Sequence, residues 1–143
     1  LLQVMENQRD DLVVILAGYR DRMETFFQSN PGLSSRIAHH IDFPDYGHGE
    51  LLAIGDKLLA GMNYLFDAGA REAFAEYLTR RVALPHFANA RSVRNALDRM
   101  RLRQASRLFS ERDRKLTRED LSTLTAADIR ASRVFGDSAG SAT

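Results

Sequence analysis

The residues best suited to chemistry in this sequence are cations at the edges of elements. Arg91 falls in the first turn of a helix that opens behind Asn89, so its guanidinium and the helix's positive end can both face an anion such as a phosphate. Arg94 shares that face three residues on. Arg36 follows the loop Asn30-Pro31-Gly32-Leu33-Ser34-Ser35, where a guanidinium can serve a local salt bridge or the charge of a phosphate. Tyr19 stands at the carboxyl end of an expected strand, a place that suits packing and also suits a site in an open α/β sheet. His39 and His40 are adjacent strand residues that point to opposite faces and cannot easily share one metal ion. The sequence holds no cysteine, so thiolate sites and disulfides are excluded. It also holds no Gly-x-x-x-x-Gly-Lys-Ser/Thr loop and no nucleophile elbow.

The elements that must position these residues divide into two kinds. Leu1, Leu2, Val4 and Met5 read as an apolar helical face with no capping residue ahead of it, so the chain starts inside an element. Residues 12–18 are a continuous apolar run rich in β-branched types, as in a strand buried on both faces of a parallel sheet. A helix with Met23, Phe26 and Phe27 on one face follows, broken by Asn30-Pro31-Gly32, and residues 38–43 read as a second strand. Two strands cannot make a covered parallel sheet, so the expectation is a fragment whose other strands lie upstream. The stretch Phe43-Pro44-Asp45-Tyr46-Gly47-His48-Gly49 is the natural linker, and the pattern turns wholly helical afterwards.

Apolar positions at three- and four-residue steps predict helices over 49–60, 67–82, 90–109, 117–122 and 126–135. Asn89 is the expected N-cap of the longest, and Thr117 and Thr125 each open a Thr-x-x-Asp capping box. Residues 136–143 are mostly Gly, Ser and Ala with little to bury, and are expected to be disordered. The expected domains are thus 1–46, an α/β tail with an incomplete parallel sheet, then 47–135, an all-α bundle, then the tail at 136–143.

At 143 residues, with 44% hydrophobic and 27% charged side chains, the balance is that of an ordinary globular chain. No apolar stretch approaches the roughly 20 residues that a membrane span needs. Charge is divided unevenly: residues 1–50 carry 4 basic and 8 acidic side chains, residues 51–143 carry 16 and 11. Residues 91–115 alone hold nine basic side chains against three acidic ones. That run is a solvated helix face, or a surface for phosphate, an acidic partner or nucleic acid.

Taken in order, Ala17-Gly18-Tyr19-Arg20-Asp21, Asn30-Pro31-Gly32-Leu33-Ser34-Ser35-Arg36-Ile37, Ile41-Asp42-Phe43-Pro44 and Phe87-Ala88-Asn89-Ala90-Arg91-Ser92-Val93-Arg94-Asn95-Ala96 resemble the back half of an AAA+ ATPase module. The resemblance runs from residue 1 to about 135. The wording of residues 85–99 and of Asp128-Ile129-Arg130-Ala131-Ser132-Arg133-Val134-Phe135 is similar to the red-type Rubisco activases in particular. Sporulation and type VII secretion relatives share the Ala-Gly-Tyr and Asn-Pro-Gly-Leu wording, and an AAA+ ATPase of that type is the alternative the resemblance leaves.

The resemblance implies an α/β tail of an AAA+ nucleotide-binding domain followed by a helical lid, and an ATP- and Mg²⁺-dependent homo-hexamer when the protein is intact. It implies Arg36 as an arginine finger acting in trans, Arg91 as the sensor-2 arginine with Arg94 beside it, and Tyr19 at the sensor-1 position, where many relatives carry Asn. It further implies a remodelling chaperone of the Calvin cycle that engages the C-terminal tail of the Rubisco large subunit and releases inhibitory sugar phosphates, with ribulose 1,5-bisphosphate as effector. Its setting would be the bacterial cytoplasm or the plastid stroma, with neither membrane nor nucleic acid as partner. Without a phosphate-binding loop, residues 1–143 are expected neither to bind ATP tightly nor to hydrolyse it. The reading from another class is an arginine-rich helical nucleic-acid-binding module built on residues 91–115.

Overall fold

The computed structural model describes residues 2–7, 11–111 and 113–139. The chain forms two compact units, Leu1–Phe43 and Pro44–Thr143. The division falls three residues ahead of the expected one, at the proline that cannot continue a strand ladder.

In the first unit, α1 covers Leu2–Asn7, α2 covers Arg20–Ser29, and a 3₁₀ turn covers Ser34–Arg36. Tyr19 is extended (φ −72°, ψ 141°), and its carbonyl accepts the first bond of α2 from the Met23 N–H at 2.9 Å. At the other end Asn30 stops the helix, its side-chain amide donating to the Phe26 carbonyl at 2.8 Å. Gly32 then takes φ +84°, a left-handed conformation that admits glycine without strain.

The two strands expected at 12–18 and 38–43 do not form: neither segment takes part in a ladder among the described residues. A parallel strand is satisfied only by neighbours on its edges, and the described chain supplies none to either segment. Their apolar side chains show the same lack, with Val13, Ile15, Ile41 and Phe43 each at least 76% exposed.

The second unit is the helical bundle. Helices α3 (His48–Gly61), α4 (Ala68–Val82) and α5 (Asn89–Ser110) pack around Leu51, Leu59, Phe74, Leu78, Val93, Leu97 and Met100, all of them buried. Short helices α6 (Arg118–Ser122) and α7 (Ala126–Arg130) close the bundle, and α7 adds Ile129 to the core. Each starts with a reason to start. Asp67 accepts from the Ala70 N–H at 2.6 Å and caps α4. Glu50 reaches back to the Gly47 N–H at 2.8 Å at the head of α3. Asp120 and Asp128 do the same for the N–H groups of Thr117 and Thr125 at 2.8 and 2.9 Å.

Where α3 crosses α4 the backbone is close. A Cβ on Gly55 would stand 2.5 Å from Cε1 of Phe74, so this helical position takes glycine despite the entropy it costs.

Three features differ from the sequence expectation. First, a two-stranded parallel sheet joins β1 (Leu65–Phe66) to β2 (Thr123–Leu124), with Leu65 opposite Thr123 and Phe66 opposite Leu124. Strands of two residues carry no readable period. Second, Asn89 is not the N-cap of α5. That place falls to Ala88, while Asn89 takes φ +46° and spends its side chain on the linker. Asn tolerates the left-handed region better than most residues, which lets the chain turn there. Third, the last expected helix divides: α7 ends at Arg130 and a 3₁₀ segment runs Arg133–Ala139. That segment enters the stretch expected to be disordered because Val134 and Phe135 pack against the core. Residues 140–143 lie outside the described residues.

Candidate functional site

The candidate cations fall in both units. In the first, Arg36 ends the 3₁₀ turn and is exposed, its Nη1 donating to the Gly32 carbonyl at 2.8 Å. The turn and the arginine are matched: a Cβ at Gly32 would lie 2.9 Å from that same Nη1. A guanidinium presents its N–H donors in a fixed fork geometry suited to charge-assisted bonds. Tyr19 is 81% exposed and contributes its carbonyl to α2, with its phenol in solvent. His40 sets its ring edge-on to Phe27, with centroids 5.7 Å apart.

In the second unit, Arg91 and Arg94 are exposed near the N-terminus of the 22-residue α5, and among the described residues neither side chain makes a hydrogen bond or ion pair. Their surroundings are well fixed. The Ala88 N–H donates to Ser92 Oγ at 2.8 Å, and the Ala88 carbonyl accepts from the Arg91 and Ser92 N–H groups at 3.1 and 3.4 Å. Asn89 donates to Asp45 Oδ1 at 2.7 Å and accepts from the Tyr46 N–H at 3.1 Å. The linker is thereby pinned to the helix end that presents Arg91.

Further along α5 the arginines have structural work. Arg101 stacks over Tyr64 at 4.8 Å and Arg103 donates to the Asp128 carbonyl at 3.1 Å. Arg107 holds the Asp128 carboxylate with Nε and Nη2, both at 2.9 Å. Asp128 is 1% exposed: burial pushes its carboxyl up, but the bonds from Arg107 and Thr125 outweigh that and hold it below the ordinary carboxylate range. Arg114 repeats the arrangement on Asp120 at 2.9 and 3.0 Å, and holds that carboxyl far down. Four of the nine basic residues at 91–115 are thus engaged within the fold, while Arg91 and Arg94 stand at its N-terminal end.

Sequence reasoning read Asp120 and Asp128 as helix caps and did not connect them to Arg114 and Arg107. A signal was present: Thr-x-x-Asp occurs twice in the region that α5 faces with surplus arginine. Among the described residues no group of three or more His, Cys, Asp or Glu is placed to hold a metal ion, and no helix is long and apolar enough to cross a membrane.

Comparison with known proteins places this arrangement. Residues 48–136 match the family described as the AAA lid domain. The chain is 63% identical to Protein CbxX, plasmid, of Cupriavidus necator over 142 residues, covering 99% of this chain and 45% of that protein. It is 62% identical to Protein CbbX of Cereibacter sphaeroides over 135 residues, covering 94% and 44%. It is 58% identical to the chloroplastic ribulose bisphosphate carboxylase/oxygenase activase of Cyanidioschyzon merolae over 135 residues, covering 94% and 46%. The chain therefore spans a little under half the length of the curated relatives it matches.

Proposed function

This chain belongs to the AAA lid domain family, and from that premise we propose that it is the C-terminal part of an AAA+ ATPase that remodels Rubisco. The observation that carries the reading is the 58% identity, across 94% of the chain, to a relative named as a ribulose bisphosphate carboxylase/oxygenase activase. The intact protein acts as a hexamer in the bacterial cytoplasm or the plastid stroma. It engages the C-terminal tail of the Rubisco large subunit and frees inhibitory sugar phosphates, with ribulose 1,5-bisphosphate as effector.

ATP with Mg²⁺ supplies the driving hydrolysis when bound. Arg91 fits its phosphate chemistry: an exposed guanidinium in a helix's first turn, without an internal partner, is a ready anion ligand. Arg94 offers a second donor on the same helix end. Because Asn89 fastens the linker beside Arg91, a change at Arg91 is passed to the segment on which the lid turns. Arg36 serves a neighbouring subunit, with the Gly32 carbonyl steadying its fork. The exposed apolar residues of 12–16 and 41–43 await the rest of the parallel sheet, in which Tyr19 sits at a strand's carboxyl end.

The test is made on the full-length protein. Arg91→Ala lowers ATP turnover and the reactivation of sugar-phosphate-inhibited Rubisco together, while the melting temperature without nucleotide stays in place. Arg118→Ala, on an exposed arginine of α6, leaves both activities intact. Equal losses in the two variants would end the sensor-2 role for Arg91. A full-length protein that hydrolyses ATP yet never restores inhibited Rubisco would end the activase reading.

A further inference from the structure

Away from Arg91, the second unit contains a cavity of about 420 Å³ between α4, α5 and the segment after α7. Its lining includes Arg81, Arg99, Arg103 and Arg133 and, among the described residues, no carboxylate, with Tyr77, Ala96 and Met100 buried at its floor. Arg99 lies eight residues past Arg91, roughly 12 Å further along the helix axis, so this is a second place on α5. Two of the arginines are held by the fold. Arg81 donates to the carbonyls of Leu84, Pro85 and His86, and Arg103 to that of Asp128, so each is fixed in place without losing its charge to an acid. The Arg99 and Arg133 side chains make no hydrogen bond or ion pair among the described residues. The Tyr77 phenol is pushed up by burial, with Arg81, Arg99 and Arg103 opposing, which keeps a neutral hydroxyl among the guanidiniums.

Uncompensated like charge converging on a concave site with an apolar floor is an unfavourable arrangement unless an anion relieves it. The volume falls in the range of small-molecule sites and below that of a macromolecular groove. We propose that this cavity binds a small organic anion, its phosphate or carboxylate group held by Arg99 and Arg133 and its body resting on Tyr77 and Met100. The proposal goes beyond the activase reading and does not depend on it. Binding there would tie the segment after α7, through Arg133, to the face of α4 and α5.

The experiment is a titration of the 143-residue chain, uniformly labelled with ¹⁵N, first with pyrophosphate and separately with citrate, following backbone amide shifts. The expected result is saturable shifts at Ser132, Arg133 and Val134 with one or both probes, the stronger probe identifying the anionic group recognised. Arg99→Ala combined with Arg133→Ala weakens that binding by at least about tenfold, while Arg91→Ala leaves it unchanged. Shifts confined to the amides around Arg91 and Arg94, equal affinity in the double variant, or no saturable shift with either probe would each overturn the proposal.

Discussion

Arg107 on α5 and Asp128 on α7 are joined by two parallel bonds of 2.9 Å, and the carboxylate is all but removed from solvent. The same carboxylate accepts from the Thr125 N–H and hydroxyl, so one acid both caps α7 and fastens it to the longest helix. Asp128→Asn leaves Arg107 and the Thr125 N–H short of their acceptor and is expected to cost about 3 kcal/mol, the lower end for a broken buried pair because Arg107 stays partly exposed. Urea denaturation at pH 7 measures it. Since the folded carboxyl lies below its unfolded value near 3.9, its contribution is fully present above that value and is lost as pH falls through the folded one. The gap between wild type and Asp128→Asn is therefore constant from pH 7 to about 5 and closes below about 4.

Gly55→Ala is expected to destabilise the lid unit although alanine is the better helix former. The gain of about 1 kcal/mol in propensity is outweighed by a Cβ set 2.5 Å from the Phe74 ring, an overpacking that costs about 1–3 kcal/mol. Thermal unfolding gives the sign. Adding Phe74→Leu should make the double variant less damaged than the two single changes predict, since they share one contact.

The linker clamp is tested by amide hydrogen exchange at Tyr46. Asn89→Ala removes the acceptor of the Tyr46 N–H and forces alanine to φ +46°, whereas Asn89→Gly removes the acceptor without the strain. Both variants lose protection at Tyr46, by about two- to tenfold for one hydrogen bond. The alanine variant, which adds backbone strain, loses more thermal stability than the glycine variant.

The residues that turned out differently show what a sequence withholds. Helix positions in the lid were legible because the pattern of Leu51, Leu59, Phe74, Leu78, Val93 and Leu97 is local, and the Thr117 and Thr125 caps span only three residues. Asn89 misled because its partners, Asp45 and Tyr46, lie 44 and 43 residues away, a distance at which local capping rules have nothing to say. The strands at 12–18 and 38–43 failed for the opposite reason: their composition is right, but strand structure belongs to a pair of segments. Arg91 and Arg94 were legible as cations at a helix start. That Arg103 is a bracket for α7 required coordinates.

For Arg36, the expected behaviour of the full-length protein is complementation in mixed rings. Arg36→Ala alone costs about 10³- to 10⁵-fold in ATP turnover if the residue is a finger. Mixing those subunits with subunits dead in the phosphate loop restores part of the turnover, because each supplies what the other lacks at a shared boundary. A steady-state phosphate-release assay reads the result, and mixed rings with no recovery would confine Arg36 to its own subunit.

The two-residue ladder between β1 and β2 has a consequence for how the polypeptide is made. Leu65 meets Thr123, and the Asp67 N–H donates to the Leu124 carbonyl at 3.1 Å, so the segment leading into α4 is completed by a strand synthesised almost sixty residues later. Helix α4 also packs more extensively against α7 than against any other element, so its burial too is completed only by the late segment. A nascent chain stalled before Leu124 therefore lacks both the partner of β1 and the α7 face of the core, and residues 123–130 act as its zip.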